Sequence, residues 1–297
     1  MTRVATLILN WNRFEDTSEC VRSVLDAAHE GWEHRVVVVD NGSTDGSAER
    51  LAESFPEAMV VRLGENFGFA GGMNRGIEWA RQAGFDHVIL LNNDTLVAPD
   101  ALAHLVREAK RGGGGALMPL ICDCETGAVT LAGARLRRPW PRVEPIAAPL
   151  LAESHSVDLV TGCCVLIPMQ VIEQVGAFDE RYFLYFEDID LALRIARAGH
   201  ALRVVPAARI YHKESRSSGG YASPGVMYYL VRNNLLLNSE WGGAGGKRGL
   251  GYLYLAALSV KMVLNPLLER RAGAGAAAAS IAAGWRDFLR GRWGARR

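Results

Sequence analysis

Residues 90–95 (LLNNDT) place three oxygen-bearing side chains directly after a run of apolar residues. Hard divalent cations take oxygen ligands, and Mg²⁺ usually keeps several waters together with substrate phosphates. The single carboxylate here, Asp94, could therefore share such an ion with a diphosphate at the end of a buried strand. The alternative is a strand-end turn in which the Asn and Asp side chains bond nearby backbone groups.

Residues 40–47 (DNGSTDGS) combine a turn signal with a helix-start signal. Ser43, Thr44 or Asp45 could cap a helix that begins near residue 48. Such a cap does not explain Asp40, whose carboxylate could accept hydrogen bonds from a ligand amide or hydroxyl.

Residues 66–76 (NFGFAGGMNRG) indicate a glycine-rich loop that opens a helix. The backbone N–H groups and the positive end of the helix dipole attract phosphate in such a loop. Arg75 adds a charge-assisted donor. The glycine spacing matches neither the dinucleotide fingerprint nor the P-loop, which weakens oxidoreductase and ATPase interpretations.

Three carboxylates, Glu187, Asp188 and Asp190, crowd one predicted helical turn. Their mutual repulsion is expected to raise the pKa of at least one of them, which suits a general base. The purely structural alternatives are a helix cap for Asp188 and an ion pair between Asp190 and Arg194, four residues later.

A polar segment, residues 210–220, contains His212, Lys213 and Arg216. We expect this segment to be a flexible loop after a strand, where a neutral imidazole could reach a metal or a phosphate. Lys213 and Arg216 could hold a diphosphate. A lone histidine is more often structural than a ligand.

Alternating strands and helices must position these side chains. Apolar runs predict strands, and 3.6-residue periodicity predicts helices between them, which together indicate a mostly parallel sheet flanked by helices. Ligands of such sheets bind beyond the carboxyl ends of the strands, where the polar clusters fall. The predicted strands are 4–9, 35–39, 59–63, 87–91, 157–168 and 202–205, and the predicted helices are 16–28, 48–55, 71–83, 188–197 and 227–238.

Composition narrows the class of protein. The chain has 297 residues, of which 49% are hydrophobic and 22% charged, so it is neither disordered nor fibrous. Its net charge of +1 does not favour nucleic acid as a partner. The five cysteines are odd in number and spaced as C-x-C and C-C, and no secretory signal is evident, so we expect reduced thiols and a cytoplasmic location.

The ordered set of motifs ILNWN, VVVVDNGSTDGS, NFGFAGGMNRGI, LLNNDT, TGCCVLIP, GAFDERYFLYFEDIDL and YHKESRSSGG resembles inverting family 2 glycosyltransferases of GT-A fold. The resemblance is greatest to the rhamnosyltransferase-like subgroup and covers about residues 3–240. It implies a GT-A catalytic domain at 1–240, with a nucleotide-binding half of about 1–115 and an acceptor-binding half of about 116–240.

The resemblance also implies residue roles. Asp94 would bind Mg²⁺ or Mn²⁺ with His212, and Asn92 stands where the metal motif usually begins with Asp. Asp188 would be the catalytic base that takes a proton from the acceptor hydroxyl. The donor nucleotide would contact Asn10, Asn12, Asp40, Asn66, Gly71, Asn74, Arg75 and Asn93. Contacts to the acceptor or diphosphate would come from Gly162, Cys163, Glu187, Asp190, Lys213 and Arg216.

Residues 241–297 form a basic tail, with ten Lys and Arg side chains against Glu269 and Asp287. The apolar stretch 249–268 is interrupted by Lys261 and is borderline for a membrane span. We expect an interfacial helix on the inner face of the cell membrane, which would suit a lipid-linked acceptor. Packing on the catalytic domain or in a homodimer is the alternative.

The predicted activity is transfer of a sugar, with L-rhamnose from dTDP-rhamnose as the first choice, to a hydroxyl of a cell-wall, O-antigen or other glycan or lipid-linked acceptor. A UDP-hexose donor remains open. Other classes are a sugar nucleotidyltransferase, whose Gly-rich loop after the first strand is absent here, and a GT-A module that has lost its chemistry.

Overall fold

The structure is a computed structural model. It describes residues 1–29, 31–112, 114–137, 142–148, 151–213, 223–243, 246–268 and 274–296, without the side chains of residues 246 and 265–268. Two compact units are present: the first comprises Met1–Arg135, Pro145–Glu180 and Asp188–Glu214, and the second Leu136–Glu144, Arg181–Glu187 and Ser215–Arg297. The predicted domain boundary at residue 240 stays a prediction.

The strands in chain order are β1 Arg3–Asn10, β2 Glu33–Asp40, β3 Met59–Arg62, β4 His87–Asn92, β5 Thr95–Val97, β6 Ala116–Asp123, β7 Val129–Leu131, β8 Ala134–Arg137, β9 Arg142–Pro145, β10 His155–Ser156, β11 Cys164–Pro168 and β12 Leu202–His212. The helices are α1 Phe14–Leu25, α2 Ser47–Ser54, α3 Gly68–Gln82, α4 Ala101–Lys110, α5 Met169–Val175, α6 Glu187–Arg197, α7 Pro224–Trp241, α8 Gly246–Leu268 and α9 Ala274–Leu289.

One mixed sheet dominates the first unit, with strand order β10-β12-β6-β11-β4-β1-β2-β3. The pairs β1–β2, β1–β4 and β2–β3 are parallel, and β12 is parallel to β6. The strand β11 is antiparallel to both β4 and β6. These pairings confirm the predicted mainly parallel sheet. Its central strands are buried, continuous runs of β-branched and apolar residues, which is typical of parallel strands covered on both faces.

Small residues allow the helices to approach the sheet closely. In α3, a Cβ added at Gly76 would lie 2.8 Å from Val39 Cγ2, and one added at Gly72 would lie 2.5 Å from Leu9 Cδ1. The predicted loop around 66–76 is therefore wrong in part, because α3 already begins at Gly68. Its glycines permit close packing of the helix on β1 and β2.

Two other predicted elements are wrong in part. Within the predicted strand 157–168, only the five residues of β11 form an extended strand, because Leu159 bridges Ala134 and Gly162 bonds a side chain instead. The strand predicted to end at 205 runs on to His212, across a register shift between Val205 and Arg209. Residues 210–212 are thus strand residues, while residues 214–220 lie outside the described residues.

Helices α7, α8 and α9 belong to the second unit, where they pack on one another. One apolar cluster joins them and includes Val231, Leu235, Leu255 and Ile281. Among the described residues, no helix is long and apolar enough to cross a membrane.

Candidate active site

The polar strand ends meet at one edge of the sheet. Asn10 pairs with Asp40 in the β1–β2 register, and Asn92 ends the neighbouring strand β4. Since β6 and β12 run in the same direction as these strands, His212 at the end of β12 lies at the same edge. The antiparallel strand β11 begins there, at Cys164. Strand direction alone therefore collects residues from distant parts of the chain.

Asp40 is buried and held by Asn10, whose Nδ2 lies 2.7 Å from Asp40 Oδ1. The other carboxylate oxygen accepts the backbone N–H of Ser43 at 3.1 Å. Asn10 itself is fully buried and also donates to Ser47 Oγ at 2.9 Å. These contacts orient the carboxylate of Asp40, and the direct nucleotide contact that the resemblance implies for Asn10 stays a prediction.

A chain of hydrogen bonds links the two polar loops. Asn93 Nδ2 donates to Thr17 Oγ1 at 2.9 Å, and Thr17 Oγ1 donates to Asn10 Oδ1 at 2.8 Å. Through Asn10 the chain reaches Asp40. Sequence reasoning missed Thr17, which lies in the first turns of α1 and is fully buried; a polar residue within an amphipathic pattern was its only signal.

The loop before α3 is organised by two asparagines. Asn66 Oδ1 accepts Asn41 Nδ2 at 3.0 Å and the backbone N–H of Gly68 at 2.8 Å. Asn41 Oδ1 accepts the N–H of Phe67 at 3.0 Å. In the loop that follows β1, Asn12 has a positive φ of 54°, and its Oδ1 accepts the backbone N–H of Thr44 at 2.8 Å. Asn12 and Asn66 therefore shape loops of the site.

The predicted donor residues of α3 contact protein groups. Asn74 forms a two-way pair with Phe178, since its Nδ2 and Oδ1 both lie 2.9 Å from backbone atoms of that residue. Arg75 forms an ion pair with Glu180 and donates to the carbonyl of Gly71 at 2.9 Å. A diphosphate that uses Arg75 must compete with Glu180.

The strongest candidate for a metal site is the pair Asp94 and His212. Asp94 is 4% exposed, and its Oδ1 lies 3.2 Å from His212 Nε2. The pair arises because β5 folds back antiparallel on β12, so that Thr95 faces His212. A buried carboxylate beside an imidazole is a donor set that fits Mg²⁺ or, with its nitrogen, Mn²⁺. No group of three or more such side chains occurs in the part of the chain that the structure describes.

Lys213 follows this pair and bonds two carboxylates of α1. Its Nζ lies 3.1 Å from Asp16 Oδ1 and 2.6 Å from Glu19 Oε2. Sequence reasoning did not anticipate either partner. Arg216, which was predicted to hold diphosphate with Lys213, lies outside the described residues.

Asp188 lies in the first turn of α6 and is anchored to the segment just before β11. Its Oδ2 accepts the backbone N–H of Gly162 at 2.9 Å, and its Oδ1 accepts the N–H of Ile189 at 2.8 Å. Burial raises the pKa of the Asp188 carboxyl, against these two hydrogen bonds and one from Thr161, which lower it. An apolar cavity lined by Val165, Phe178 and Leu191 lies beside the carboxylate.

The predicted cause of that shift was wrong. Burial is the largest cause of the raised pKa of Asp188, ahead of any crowding by neighbouring carboxylates. Asp190 instead pairs with Arg194 at 2.8 Å, as the alternative interpretation held, and Glu187 is buried.

Cys163 lies between the loop that carries Asp94 and the residue that binds Asp188. Its carbonyl accepts the backbone N–H of Asn92 at 2.9 Å, and it follows Gly162, the donor to Asp188. Burial raises the pKa of the Cys163 thiol well above its usual range, and the charges of both Asp94 and Asp188 raise it further. One buried thiol therefore experiences both carboxylates.

Known proteins share this architecture. The family model "Glycosyltransferase like family 2" matches residues 2–224. An N-acetylglucosaminyl-diphospho-decaprenol L-rhamnosyltransferase of Mycobacterium tuberculosis is 33% identical over 216 residues, which cover 62% of this chain and 68% of the relative. The O-antigen biosynthesis protein RfbC of Myxococcus xanthus is 31% identical over 235 residues, which cover 73% of this chain and 18% of that protein.

Solved structures agree on the fold. GalNAc-T7, solved with UDP, GalNAc and Mn²⁺, superposes with a TM-score of 0.64 at 19% identity, over 78% of this chain and 47% of that chain, so this chain matches about half its length. Residues 1–349 of S. aureus TarS superpose with a TM-score of 0.57 at 13% identity, over 98% and 92% of the two chains. The predicted resemblance is confirmed: this chain belongs to glycosyltransferase-like family 2, has the GT-A fold and is a glycosyltransferase.

Proposed function

We propose that this glycosyltransferase moves a sugar from a nucleoside-diphosphate donor to a hydroxyl of a lipid-linked glycan, with inversion at the anomeric carbon. One observation carries the proposal: Asp188 is bound to Gly162, two residues before β11, the strand that pairs with the end of β4 beside Asp94. A general base and a diphosphate-binding group therefore share one sheet edge.

Asp188 acts as the general base. Its carboxylate takes a proton from the acceptor hydroxyl as that oxygen attacks the anomeric carbon from the face opposite the leaving group. The backbone N–H groups of Gly162 and Ile189 orient the carboxylate, so little motion is needed during the proton transfer. A positioned base contributes about 10²–10⁴-fold in rate.

Asp94 and His212 would hold a divalent cation, Mg²⁺ or Mn²⁺. When bound, such a cation supplies charge that stabilises the leaving diphosphate. On the donor side, Asp40 accepts hydrogen bonds from the base or ribose, while Asn10 and Thr17 keep its carboxylate oriented. Trp11, which is half exposed between Asn10 and Asn12, offers an aromatic face to the base.

The family match supports sugar transfer in general, whereas the particular sugar and acceptor rest on one relative. The relative at 33% identity favours L-rhamnose as the sugar and a polyprenyl-diphosphate-linked N-acetylglucosamine as the acceptor. We take dTDP as the nucleotide that carries the rhamnose, as the family resemblance implies. A UDP-hexose donor is the alternative. The family match argues against a sugar nucleotidyltransferase.

Thermal unfolding with dTDP, UDP and GDP, each with and without Mn²⁺, tests the donor side. A ligand that binds the native state alone stabilises it by about 2.7 kcal/mol at a hundredfold excess over Kd. We expect dTDP with Mn²⁺ to give the largest rise in Tm, and the matching dTDP-rhamnose to support transfer to a short-chain analogue of the lipid acceptor. No stabilisation by any nucleotide would contradict the proposal.

The second unit is proposed to bind an anionic membrane surface through α8. Four large apolar side chains are exposed on this helix at spacings of three, seven and four residues, which form a single stripe: Leu250, Leu253, Val260 and Leu264. The exposed side chains of Lys247 and Lys261 lie beside the stripe, and α8 contains no Asp or Glu that could pair with the lysines of a second copy. This charge pattern favours anionic lipid over self-association.

Flotation with vesicles of phosphatidylcholine, alone or mixed with phosphatidylglycerol, tests this contact. We expect binding only to the anionic vesicles, and loss of binding when Leu253 and Val260 are both replaced by Ser. Leu289→Ser, at an exposed leucine of α9, is the matched control and should bind normally. A dimer in solution that the double variant abolishes, without any vesicle binding, would assign the stripe to a second copy.

A further inference from the structure

Arg232, in α7 of the second unit, has a side chain with no exposed surface. A buried guanidinium is tolerated only where its donors are satisfied. Arg232 donates to the backbone carbonyls of Arg181 at 3.0 Å, Tyr182 at 2.8 Å and Gly294 at 2.6 Å, and to Asn233 Oδ1 at 2.9 Å. Two of its carbonyl partners thus belong to the segment 181–186.

Asn233, the next residue of α7, is also fully buried and turns toward the same segment. Its Nδ2 group contacts the carbonyl oxygens of Tyr182 at 2.8 Å, Leu184 at 2.7 Å and Tyr185 at 2.9 Å. Two neighbouring side chains therefore bind four carbonyls within five residues. Such a set of donors fixes the path of the backbone as well as its position.

The backbone of this segment is strained. Phe183, Tyr185 and Phe186 have φ values of 64°, 68° and 73°, in the left-handed region that bulky side chains rarely occupy. Such conformations persist only where the surroundings determine them, and they cluster at functional sites. Here the surroundings are the donors of α7 and the ring of Tyr229, on which Phe183 stacks at 5.3 Å between centroids.

The strained segment leads directly into α6, in which Glu187 is the first residue and Asp188 the second. We propose that Arg232 and Asn233 are positioning residues for transfer: they hold segment 181–186 in its left-handed path and thereby set the first turn of α6, which carries Asp188. The inference rests on the proposed role of Asp188 as the base.

Asn233 offers the cleaner test, because its Nδ2 group contacts only the segment, whereas Arg232 also binds Gly294 near the end of the chain. Asn238→Ala is the matched control, since Asn238 is a buried asparagine of the same helix whose Nδ2 donates to the carbonyl of Arg248 instead. Asn233→Ser, which can keep one hydrogen bond, is the conservative variant.

Steady-state transfer from the donor selected by the thermal screen should separate positioning from binding. Small misplacements of a reacting group cost up to about 100-fold in rate, so we expect Asn233→Ala to lower kcat by about 10- to 100-fold. Its KM for the donor should stay within about twofold, because the amide of Asn233 contacts segment 181–186 and none of the residues proposed to bind the donor. The kcat of Asn233→Ser should fall between those of the wild type and Asn233→Ala, and the kcat of Asn238→Ala should match that of the wild type.

Hydrogen exchange supplies a readout independent of turnover. The amides of residues 183–187 should exchange faster in Asn233→Ala than in Asn238→Ala, and Asn233→Ser replaces Asn233→Ala if the latter does not fold. Equal kcat and equal exchange in the Asn233 and Asn238 variants would overturn the inference. If Asp188→Asn itself turned over normally, the proposed base would fail first, which distinguishes the two failures.

Discussion

The carboxylate of Asp188 is fixed by the backbone N–H of Gly162, 2.9 Å away, although the two residues lie on different elements of the fold. Gly162 permits this approach, because a Cβ at that position would lie 3.2 Å from Asp188 Cβ. The next residue, Cys163, bonds the backbone of Asn92 at the end of β4. Two consecutive residues thus tie the proposed base to the loop that carries Asp94.

Removing the Asp94 carboxylate should abolish cation-dependent nucleotide binding. Loss of groups that only support a metal ligand costs about 10–100-fold in affinity or activity, so Asp94→Asn should lower transfer by more than about 100-fold. The measurement is the rise in Tm that dTDP gives with and without Mn²⁺. Asp100→Asn, at an exposed aspartate, is the control and should keep that rise. An undiminished Mn²⁺ effect in Asp94→Asn would place the cation elsewhere.

The pH dependence of transfer should show the raised pKa of Asp188. The base works only when it is deprotonated, so kcat falls as pH drops through the folded-state pKa, which lies above 3.8, the ordinary value for Asp. Thr161→Val removes a hydrogen bond that lowers this pKa, and the acid limb of the kcat profile should move to higher pH. Thr130→Val, in β7, should leave the limb in place. A limb that moves the other way would exclude Asp188 as its source.

The fold itself should lose stability in mild acid through His34. Burial, together with the nearby charge of His29, lowers the pKa of His34 from 6.5 to about 4. The unfolded state therefore binds more protons between these values, and stability falls as pH drops from 6.5 toward 4. The loss over that window is on the order of 3 kcal/mol. Urea unfolding at several pH values should show this slope in the wild type and a smaller one in His34→Gln.

Close packing of α3 on the sheet can be tested at Gly76. The Cβ of Gly76→Ala would meet Val39 Cγ2 at 2.8 Å, and overpacking of this kind costs about 1–3 kcal/mol. Gly249→Ala, inside α8 with nothing within 4 Å of the added Cβ, should instead stabilise the protein by about 0.5–1 kcal/mol. Equal changes in the free energy of unfolding for the two variants would show that helix propensity alone operates.

Sequence reasoning located β1, β2 and β4, because their runs of Val, Ile and Leu are unambiguous and a polar cluster follows each of the three. It misplaced His212, since Pro206 and two alanines interrupt the apolar pattern of β12. It placed Asp188 correctly in the first turn of α6, and the predicted pair of Asp190 with Arg194 is present. The roles proposed for these residues remain predictions.

Other features depend on contacts that no local pattern encodes. Lys213 bonds Asp16 and Glu19, nearly two hundred residues earlier, because the end of β12 lies beside α1. The left-handed backbone at Phe183 and Tyr185 is held by hydrogen-bond donors of α7. The run of aromatic residues in the sequence does not predict it. The raised pKa of Asp188 likewise follows from burial, whereas local sequence suggested charge repulsion.

The most direct test compares transfer and donor binding in wild type and Asp188→Asn. The amide keeps the size of the side chain but cannot take a proton, so we expect transfer to fall by about 10²–10⁴-fold. The rise in Tm that dTDP and Mn²⁺ produce should be the same in both proteins, because the proposed base contacts the acceptor hydroxyl and neither the nucleotide nor the cation. Near-normal transfer by Asp188→Asn, with donor binding intact, would contradict the assignment of Asp188 as the base.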